Sequence, residues 1–368
     1  MGEDAEQGGM MERVHLHHVF DYTDVDRAFW AEHLEGWVPW RIVDAHAHVV
    51  NPALRLRPMT EEMRRQYWVN EVSEPIAAPD AERCDRITFP GRTVDRVNLG
   101  SVSLDFDIEG CNEYVRVESL KRPGWRSVAS VRPEWPAERA EEELAKPGVL
   151  GFKPYYALLG YDDSTRDKYI EASIFEMLPH RILEVMDQRR AWLTLHVPKA
   201  GRLAHPDNIR EVRELRRRYP NIITVIAHLG RSYTLPHAEE ALPPLAEDAG
   251  LFFDNSAVLN PAVHRLALRL LGPRRILFGT DNPVFYMRGR RQWHGRTYVN
   301  RTSYPFFFNK EREAPEIEAG YTLFMYEALK GLKEACEEAG VSRQGVEDIF
   351  FGNADRLIEA ANSGRRGT

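Results

Sequence analysis

Residues 41–50 read RIVDAHAHVV, an apolar run with two histidines, His46 and His48, close to its end. In a β-strand, residues i and i+2 point to the same side, so both imidazoles are expected to face one place. A buried strand has no structural need for two neighbouring imidazoles at its end. The stretch therefore predicts a functional strand end, provided that later strands supply further side chains of the metal-ligand type.

From residue 41 onward, short apolar runs alternate with amphipathic stretches. After RIVDAH, seven further runs are typical of strands: VNLGSVSL (97–104), WRSVASV (125–131), VLGFK (149–153), WLTLHV (192–197), IITVIAH (222–228), LFFDNSA (251–257) and RILFGTD (275–281). Between the later runs lie stretches with helical spacing, residues 173–189, 207–218, 236–248 and 261–271. Strands that alternate with helices indicate a parallel sheet, and eight of them predict a closed (β/α)₈ barrel. An open doubly wound sheet is the alternative, but no glycine-rich phosphate loop follows the first strand.

The chain divides into an N-terminal extension, residues 1–40, and one barrel domain, residues 41–368. The extension contains a predicted helix at 24–36, and the barrel carries insertions after strand one (51–95, with a predicted helix at 60–71) and after strand eight (284–310). Both insertions leave the C-terminal ends of strands, which is the face where barrel enzymes build active sites. We expect them to roof a pocket.

Composition excludes several classes of protein. The 368 residues are 43% hydrophobic and 29% charged, with a net charge of −7, and arginines are mixed with acidic residues throughout, so no nucleic-acid partner is expected. No apolar stretch approaches the roughly 18 residues of a membrane helix, and the N-terminal residues lack the apolar core of a signal peptide. Three widely spaced cysteines, Cys84, Cys111 and Cys336, are typical of reduced thiols. We expect a cytoplasmic protein with a small-molecule substrate, and a homodimer is a candidate assembly.

Side chains of the metal-ligand type recur at the C-terminal ends of the predicted strands. They are His46, His48, Lys153, His196, His228 and Asp281. All would point into one barrel mouth, where several imidazoles and a carboxylate suit a divalent metal such as Zn²⁺ with one open position for water. A lone buried histidine is more often a hydrogen-bonded core residue, but coincidence does not explain so many at matching strand ends.

The same residues carry a resemblance to a known family. DAHAH (44–48), GFK (151–153), LTLHV (193–197), AHLG (227–230), FGTDNP (278–283) and FGNADRL (351–357) are similar to motifs of the amidohydrolase superfamily of metal-dependent (β/α)₈ barrels. The chain looks closest to the branch that contains amino-carboxymuconate-semialdehyde decarboxylase and related hydrolases and decarboxylases.

The resemblance implies that His46, His48, His196 and Asp281 hold one metal. Histidine and aspartate ligands suit zinc foremost, with manganese, cobalt or iron as alternatives. The resemblance also implies that His228 stays off the metal and polarises the substrate or transfers protons. Imidazole ligands leave a metal enough positive charge to lower the pKa of bound water from 15.7 toward about 7. Asp281 and His228 are therefore the predicted catalytic pair, one accepting the proton of the water and the other stabilising an oxyanion or protonating a leaving group.

Lys153 is open to three interpretations. In the two-metal members of the superfamily a strand-four lysine is carbamylated and bridges the metals, but the GFK context is more similar to the one-metal branch. There, the lysine would make a salt bridge inside the mouth or bind a substrate carboxylate. Tyr155 and Tyr156, which follow it, are expected to add to the same wall of the pocket.

The segment 284–310 interleaves arginines with aromatic residues, and Arg288, Arg290, Arg291, Trp293 and Arg296 are its candidate substrate-binding residues. Arginine grips carboxylates with two parallel hydrogen bonds, and aromatic faces stack on flat rings. The segment therefore predicts a carboxylate-bearing, cyclic or aromatic substrate, with a solvated basic loop as the alternative. Asn255 and Ser256, after strand seven, are candidate partners for a metal ligand.

Three functions remain open. The first is a metal-dependent hydrolase that attacks an amide, ester or lactone-type bond, and the second is a nonoxidative decarboxylase of a cyclic or aromatic carboxylate on the same scaffold. Certain decarboxylases of the resembled branch carry a glutamate in the first His-x-His motif; this chain does not, which favours hydrolysis. The third is an inactive barrel that serves as a binding protein, against which the complete motif set argues.

Overall fold

The computed structural model describes residues 13–160 and 169–366. Strands form its centre. The strands are β1 (Val14–His17), β2 (Phe20–Tyr22), β3 (Arg41–His48), β4 (Thr93–Leu99), β5 (Trp125–Ser130), β6 (Val149–Lys153), β7 (Trp192–Leu195), β8 (Ile223–Ile226), β9 (Leu251–Asp254), β10 (Ile276–Leu277), β11 (Gly289–His294) and β12 (Thr297–Thr302). Strands β3 to β10 form one parallel sheet in which each strand pairs with the next along the chain. Each of the eight predicted strands overlaps one of them.

Backbone contacts between the first and last of these strands close the sheet. The amide of Ala45 donates to the carbonyl of Phe278 (2.9 Å), the amide of Asp281 donates to the carbonyl of His46 (2.7 Å), and Ala47 pairs with Asn282 as an isolated parallel bridge. A parallel sheet of eight strands that returns to its first strand is a (β/α)₈ barrel. The predicted fold is confirmed.

Helices surround the barrel and form its insertions. They are α1 (Asp24–Phe29), α2 (Glu61–Gln66), α3 (Trp68–Val72), α4 (Ala78–Thr88), α5 (Ile108–Leu120), α6 (Ala137–Ala145), α7 (Ile174–Met177), α8 (His180–Gln188), α9 (Pro206–Arg218), α10 (His228–Arg231), α11 (Leu235–Ala241), α12 (Pro261–Leu271), α13 (Pro315–Ala319), α14 (Phe324–Glu338), α15 (Arg343–Glu347) and α16 (Asn353–Arg366). Within the two described ranges, none of these helices combines the length and apolarity that crossing a membrane requires.

One end of the barrel is filled and the other is left for the site. Val43, Val97, Trp192 and other inward residues form a cluster inside the barrel, and that cluster is covered by apolar residues of α16, namely Ala354, Leu357, Ile358 and Ala361. A larger apolar cluster packs between the strands and the outer helices. Because α16 closes the N-terminal end of the strands, a ligand can enter only from the side of their C-terminal ends.

The N-terminal extension packs against the last insertion. In the described part of this extension, Leu16, Phe20 and Tyr22 belong to the large apolar cluster, and the ring of Phe20 lies 5.7 Å from that of Phe306. The insertion after β10 is itself a hairpin, because β11 and β12 pair along their full length. Its two-residue loop begins at Gly295 with a φ of 60°, the positive angle that tight hairpin turns require.

Candidate metal centre and its cavity

A cavity of 520 Å³ opens at the C-terminal ends of the barrel strands. Its wall contains every strand-end residue that the sequence predicted, together with the two tyrosines after β6: His46, His48, Lys153, Tyr155, Tyr156, His196, His228 and Asp281. The volume lies in the usual range of small-molecule sites. The structure thus brings together residues that are up to 235 positions apart, as His46 and Asp281 are.

A bulge in β3 turns its two histidines into this cavity. Val43 and Ala45 point into the barrel interior, so strict alternation would send His46 and His48 to the opposite side. The pairing of β3 with β4 shifts register between Asp44 and Ala47, and both histidines line the cavity. Bulges commonly redirect side chains in this way beside active sites.

Hydrogen bonds fix the ring nitrogens of the two histidines. Nδ1 of His46 donates to Oδ2 of Asp254 (2.9 Å), and Nδ1 of His48 donates to the carbonyl of Gly100 (3.1 Å). Each Nε2 is therefore left as an acceptor, the form that binds a metal. The two Nε2 atoms lie 3.7 and 3.6 Å from Oδ1 of Asp281, and the ligand atoms of the three residues lie within 4.8 Å of one another.

Three hydrogen-bond acceptors that face one another repel unless a cation is shared among them. Burial raises the pKa of the Asp281 carboxyl, so its carboxylate form needs a nearby positive charge. Burial also lowers the pKa of the histidines, to about 4 for His48 and well below the usual value for His46, His196 and His228. Neutral imidazoles beside a carboxylate fit a divalent metal ion.

His196 supplies a further candidate ligand. Its Nδ1 atom is buried and has no hydrogen-bond partner among the described groups, which is an expensive state for a polar atom. The ring lines the cavity, 4.8 Å from that of Tyr155 and 5.3 Å from that of His228. Its ligand atoms are not within the 4.8 Å group of His46, His48 and Asp281, so His196 borders that group.

Lys153 contacts the same group. Its Nζ atom donates to Nε2 of His46 at 3.1 Å, and its side chain is almost fully buried. Burial lowers the pKa of this ammonium, while Asp254 and Asp281 oppose the shift. Because the single lone pair of His46 Nε2 serves either Lys153 or a metal, metal binding at His46 requires that this hydrogen bond is given up.

Asp254 connects His46 with His228, and the sequence did not single it out. The carboxylate accepts from Nδ1 of His46, from the amide of His228 (3.0 Å) and from the hydroxyl of Ser256. Nδ1 of His228 in turn contacts the Ser256 hydroxyl (2.8 Å) and carbonyl (3.1 Å). Since the carbonyl only accepts, His228 carries its proton on Nδ1 and presents Nε2 as an acceptor. Asn255, the other candidate partner, accepts instead from the amide of Gly279 (3.2 Å).

Backbone strain is concentrated at this end of the barrel. Arg202, His228, Arg231 and Asp281 all have positive φ angles, between 57° and 63°, which side chains other than glycine rarely adopt. In α10 the four residues His228–Arg231 all have positive φ, so this element is a left-handed turn. Such conformations cost about 1–3 kcal/mol each and cluster at functional sites.

The hairpin of β11 and β12 separates the predicted arginines into two faces. Arg291 faces inward, where its Nε donates to Asn300 (2.9 Å) and its Nη1 to the carbonyl of Ala257 (2.9 Å), and it lines the cavity. Arg290, one position earlier, faces outward and pairs with Glu313. Strand alternation makes this division, which is why a segment interpreted as a loop could not reveal it.

The other predicted residues of this segment also lie outside the cavity wall. Arg296 is exposed and pairs with Glu240, and Arg288 pairs with buried Asp26 of the N-terminal extension. Trp293 donates from Nε1 to the carbonyl of Tyr233 (3.0 Å) and so supports a cavity residue from behind. Of the candidate substrate-binding residues predicted in this segment, Arg291 lines the cavity, whereas carboxylates of the protein hold the other three arginines.

Arg288 is expected to stabilise the fold and not to bind substrate. Asp26 is fully buried and accepts from Arg288, from Thr322 (2.8 Å) and from the amide of Thr23 (2.7 Å). Arg288→Met would leave the carboxylate of Asp26 buried without a cation, so we expect the free energy of unfolding to fall by about 3–5 kcal/mol. Denaturant unfolding measures this change. Arg296→Met, which breaks an exposed pair on the same hairpin, should leave stability unchanged, and equal losses in both variants would contradict the assignment.

Several cavity residues were not found from the sequence. Arg202 follows β7, Arg231 ends the left-handed turn after β8, and Tyr233 lies two positions further; all three line the cavity, as do Tyr298 and Arg55. Alternation around a central glycine in RRQWHGRTYVNRT predicts the hairpin, and with it the inward position of Tyr298. No local signal distinguishes Arg202 from the other arginines, since its position depends on contacts between loops.

Most of the chain matches the model of a known protein family. A family model described as amidohydrolase matches residues 43–359. A search of curated proteins returned no match.

Solved structures share the fold at low sequence identity. An amidohydrolase from Burkholderia multivorans with bound HEPES is 13% identical, with 86% of this chain and 99% of that chain covered and a TM-score of 0.55. A probable 2-pyrone-4,6-dicarboxylic acid hydrolase from Acinetobacter baumannii with bound citric acid is 13% identical, with 86% and 99% covered and a TM-score of 0.53. A 2,6-dihydroxybenzoate decarboxylase in complex with 2,6-dihydroxybenzoate is 14% identical, with 87% and 100% covered and a TM-score of 0.51. These likenesses show the fold.

Proposed function

Because the chain belongs to the amidohydrolase family, we propose that it is a metal-dependent hydrolase that adds water to a C–N, ester or lactone bond of a small carboxylate-bearing compound. Membership of this family supports an enzymatic function. The observation that carries the proposal is the convergence of His46 Nε2, His48 Nε2 and Asp281 Oδ1 on one wall of the cavity.

His46, His48, His196 and Asp281 would hold one divalent metal, with zinc the first candidate for a site of imidazoles and one carboxylate. When bound, such an ion polarises a carbonyl oxygen and makes a water molecule more acidic. The remaining chemistry belongs to the side chains around it. Lys153 would then be free to contact the substrate, because its hydrogen bond to His46 is given up.

Two residues would manage the protons. Hydrolysis transfers a hydroxyl to the attacked carbon and a proton to the leaving nitrogen or oxygen. Asp281 would accept the proton of the attacking water through a carboxylate oxygen. Nε2 of His228 would take up this same proton from Asp281 and pass it to the leaving atom, which restores both groups, since the contact of Nδ1 with Ser256 leaves Nε2 as an acceptor. The ring of His228 lies 4.7 Å from that of His46, which places this group beside the candidate ligands.

The cavity wall would orient the substrate. Lys153 and Arg291 offer cations to a carboxylate, and the tyrosines after β6 offer flat faces, with the rings of Tyr155 and Tyr156 stacked at 4.4 Å. The second candidate function is nonoxidative decarboxylation. The buried ammonium of Lys153 supports this alternative, because a cation beside the candidate ligands would also hold the carboxylate that leaves as carbon dioxide.

The test is a product assay. Metal-loaded protein is incubated with a panel of cyclic amides, lactones and aromatic carboxylates, and products are identified by mass spectrometry. Gain of one water supports the hydrolase, loss of one carbon dioxide supports the decarboxylase, and an unchanged panel favours an inactive barrel. The His228→Asn protein, prepared in parallel, controls for contaminating activities.

A further inference from the structure

Three arginines of the cavity wall have no carboxylate partner among the described residues. Arg202 donates from Nη1 to the carbonyl of Arg231 (3.4 Å) and contacts Nδ1 of His237 (2.8 Å). Arg231 donates to the carbonyls of Val197 (3.3 Å) and Lys199 (2.8 Å). Arg291 donates to Asn300 and to the carbonyl of Ala257. Neutral groups thus position all three guanidinium groups and leave their charges uncompensated. We call Arg202, Arg231 and Arg291 the arginine trio.

Two tyrosines hold members of the trio close together. The guanidinium of Arg202 lies 5.1 Å from the ring of Tyr233 and 5.9 Å from that of Tyr298, and that of Arg291 lies 5.4 and 4.3 Å from the same two rings. Such contacts stabilise a cation only modestly. Burial lowers the pKa of both arginines, and a neighbouring arginine of the trio lowers each further. Because these buried cations contact the same two tyrosine rings and have no carboxylate partner among the described residues, an anion from outside the protein would stabilise them.

Among the described residues, the acidic side chains of the cavity wall form no ion pair with the trio. Glu74 is paired with Arg64, and Asp105 accepts from the hydroxyl of Ser103. Asp281 is committed to the candidate metal group. A substrate with one carboxylate would leave most of the trio uncompensated, whereas uncompensated buried charges are costly.

We propose that the arginine trio binds a second carboxylate of the substrate, so that the enzyme acts on a compact dicarboxylate whose other polar group reacts at the candidate metal centre. This inference rests on the proposed function, because it takes the occupant of the cavity to be the substrate. It adds that the substrate carries at least two negative charges, and it assigns Arg202, Arg231 and Arg291 as specificity-determining residues.

The test compares two ligands of the same shape. Benzene-1,3-dicarboxylate carries two carboxylates, and 3-acetylbenzoate replaces one of them by a neutral group of similar size. We expect the full-length, metal-loaded protein to bind the dicarboxylate about ten- to a hundredfold more tightly in calorimetry, the range of a lost charge-assisted hydrogen bond. Arg291→Gln and Arg202→Gln should each reduce this preference toward one. Arg296→Gln, on the same hairpin but paired with Glu240 outside the cavity, should keep it.

A wild-type protein that does not distinguish the two ligands would overturn the inference, and so would a preference that survives both variants. Arg202 and Arg291 lie on different elements, so if one variant does not fold, the other decides. The measurement needs no turnover. Hydrolysis of monocarboxylates without a charge preference would leave the proposed function standing and remove the trio from substrate binding. A preference that depends on the trio, without turnover of any panel compound, would support the trio as a carboxylate-binding site and argue against the proposed function.

Discussion

Replacing His46 and His48 together by alanine is expected to empty the metal centre and abolish turnover. Each imidazole presents a fixed Nε2 acceptor toward Asp281, at 3.7 and 3.6 Å, so the double variant removes two of the three members of this candidate ligand group. Elemental analysis of gently purified protein should find about one divalent metal per chain in the wild type, as expected for a single site of this composition. The double variant should hold almost none.

The matched control removes two histidines away from the cavity. His33 and His205 are partly exposed and lie outside the cavity wall, so His33→Ala with His205→Ala should keep the full metal content. Retained metal in the His46 and His48 variant would show that the ligand assignment is wrong. A wild-type count near two that falls when Lys153 is replaced by alanine would instead support the lysine-bridged, two-metal arrangement.

The barrel could be predicted because its signals are local. The run 149–153 and the helical stretch 261–271 coincide with β6 and α12, where strand-type and helix-type periodicity continue up to clear ends. Predictions were less accurate where the chain bends within a periodic stretch. The helix predicted at 60–71 is interrupted at Tyr67, and the one at 173–189 is interrupted at Leu178, where the backbone angles leave the helical range.

The last strand shows how function shortens a regular element. The run 275–281 predicts a strand of seven residues, but only Ile276–Leu277 pair as one. Asp281 adopts a φ of 58° and its amide donates to the carbonyl of His46, which orients its carboxylate toward the two histidines of β3. A sequence pattern shows that Asp281 follows a strand. The pattern does not show that the backbone leaves the strand before Asp281 and so turns its carboxylate toward the two histidines.

The candidate metal ligands could be predicted, whereas the substrate wall could not, for a physical reason. Ligands at strand ends take their position from the barrel itself, so the order of strands is enough to bring them together. Arg202, Arg231 and Tyr233 lie in loops, and their direction depends on turns such as the left-handed His228–Arg231. Only glycine fits at position 230 in this turn, because a Cβ there would lie 2.2 Å from the side chain of Leu203.

His228→Asn is expected to keep the metal and lower kcat by about 10²- to 10⁴-fold, the usual loss when a positioned acid or base is removed. Nδ1 of His228 is committed to Ser256, which leaves Nε2 to exchange protons with substrate. Asparagine can still donate to the Ser256 carbonyl but has no basic nitrogen. Metal content, melting temperature and kcat, measured on whichever panel compound is turned over, separate a chemical role from a structural one.

His264→Asn is the matched control for this variant. His264 is also fully buried and bonded to a backbone carbonyl, that of Val258 at 2.9 Å, but it lies outside the cavity wall. Its replacement should lower the melting temperature and leave kcat and metal content unchanged. If the His228 variant behaves like this control, His228 is a core histidine without a part in the reaction. If the His228 variant loses the metal, His228 is a ligand. The stacking of its ring on His46 would then reflect two ligands of the same ion, and not a proton-transfer group beside the metal centre.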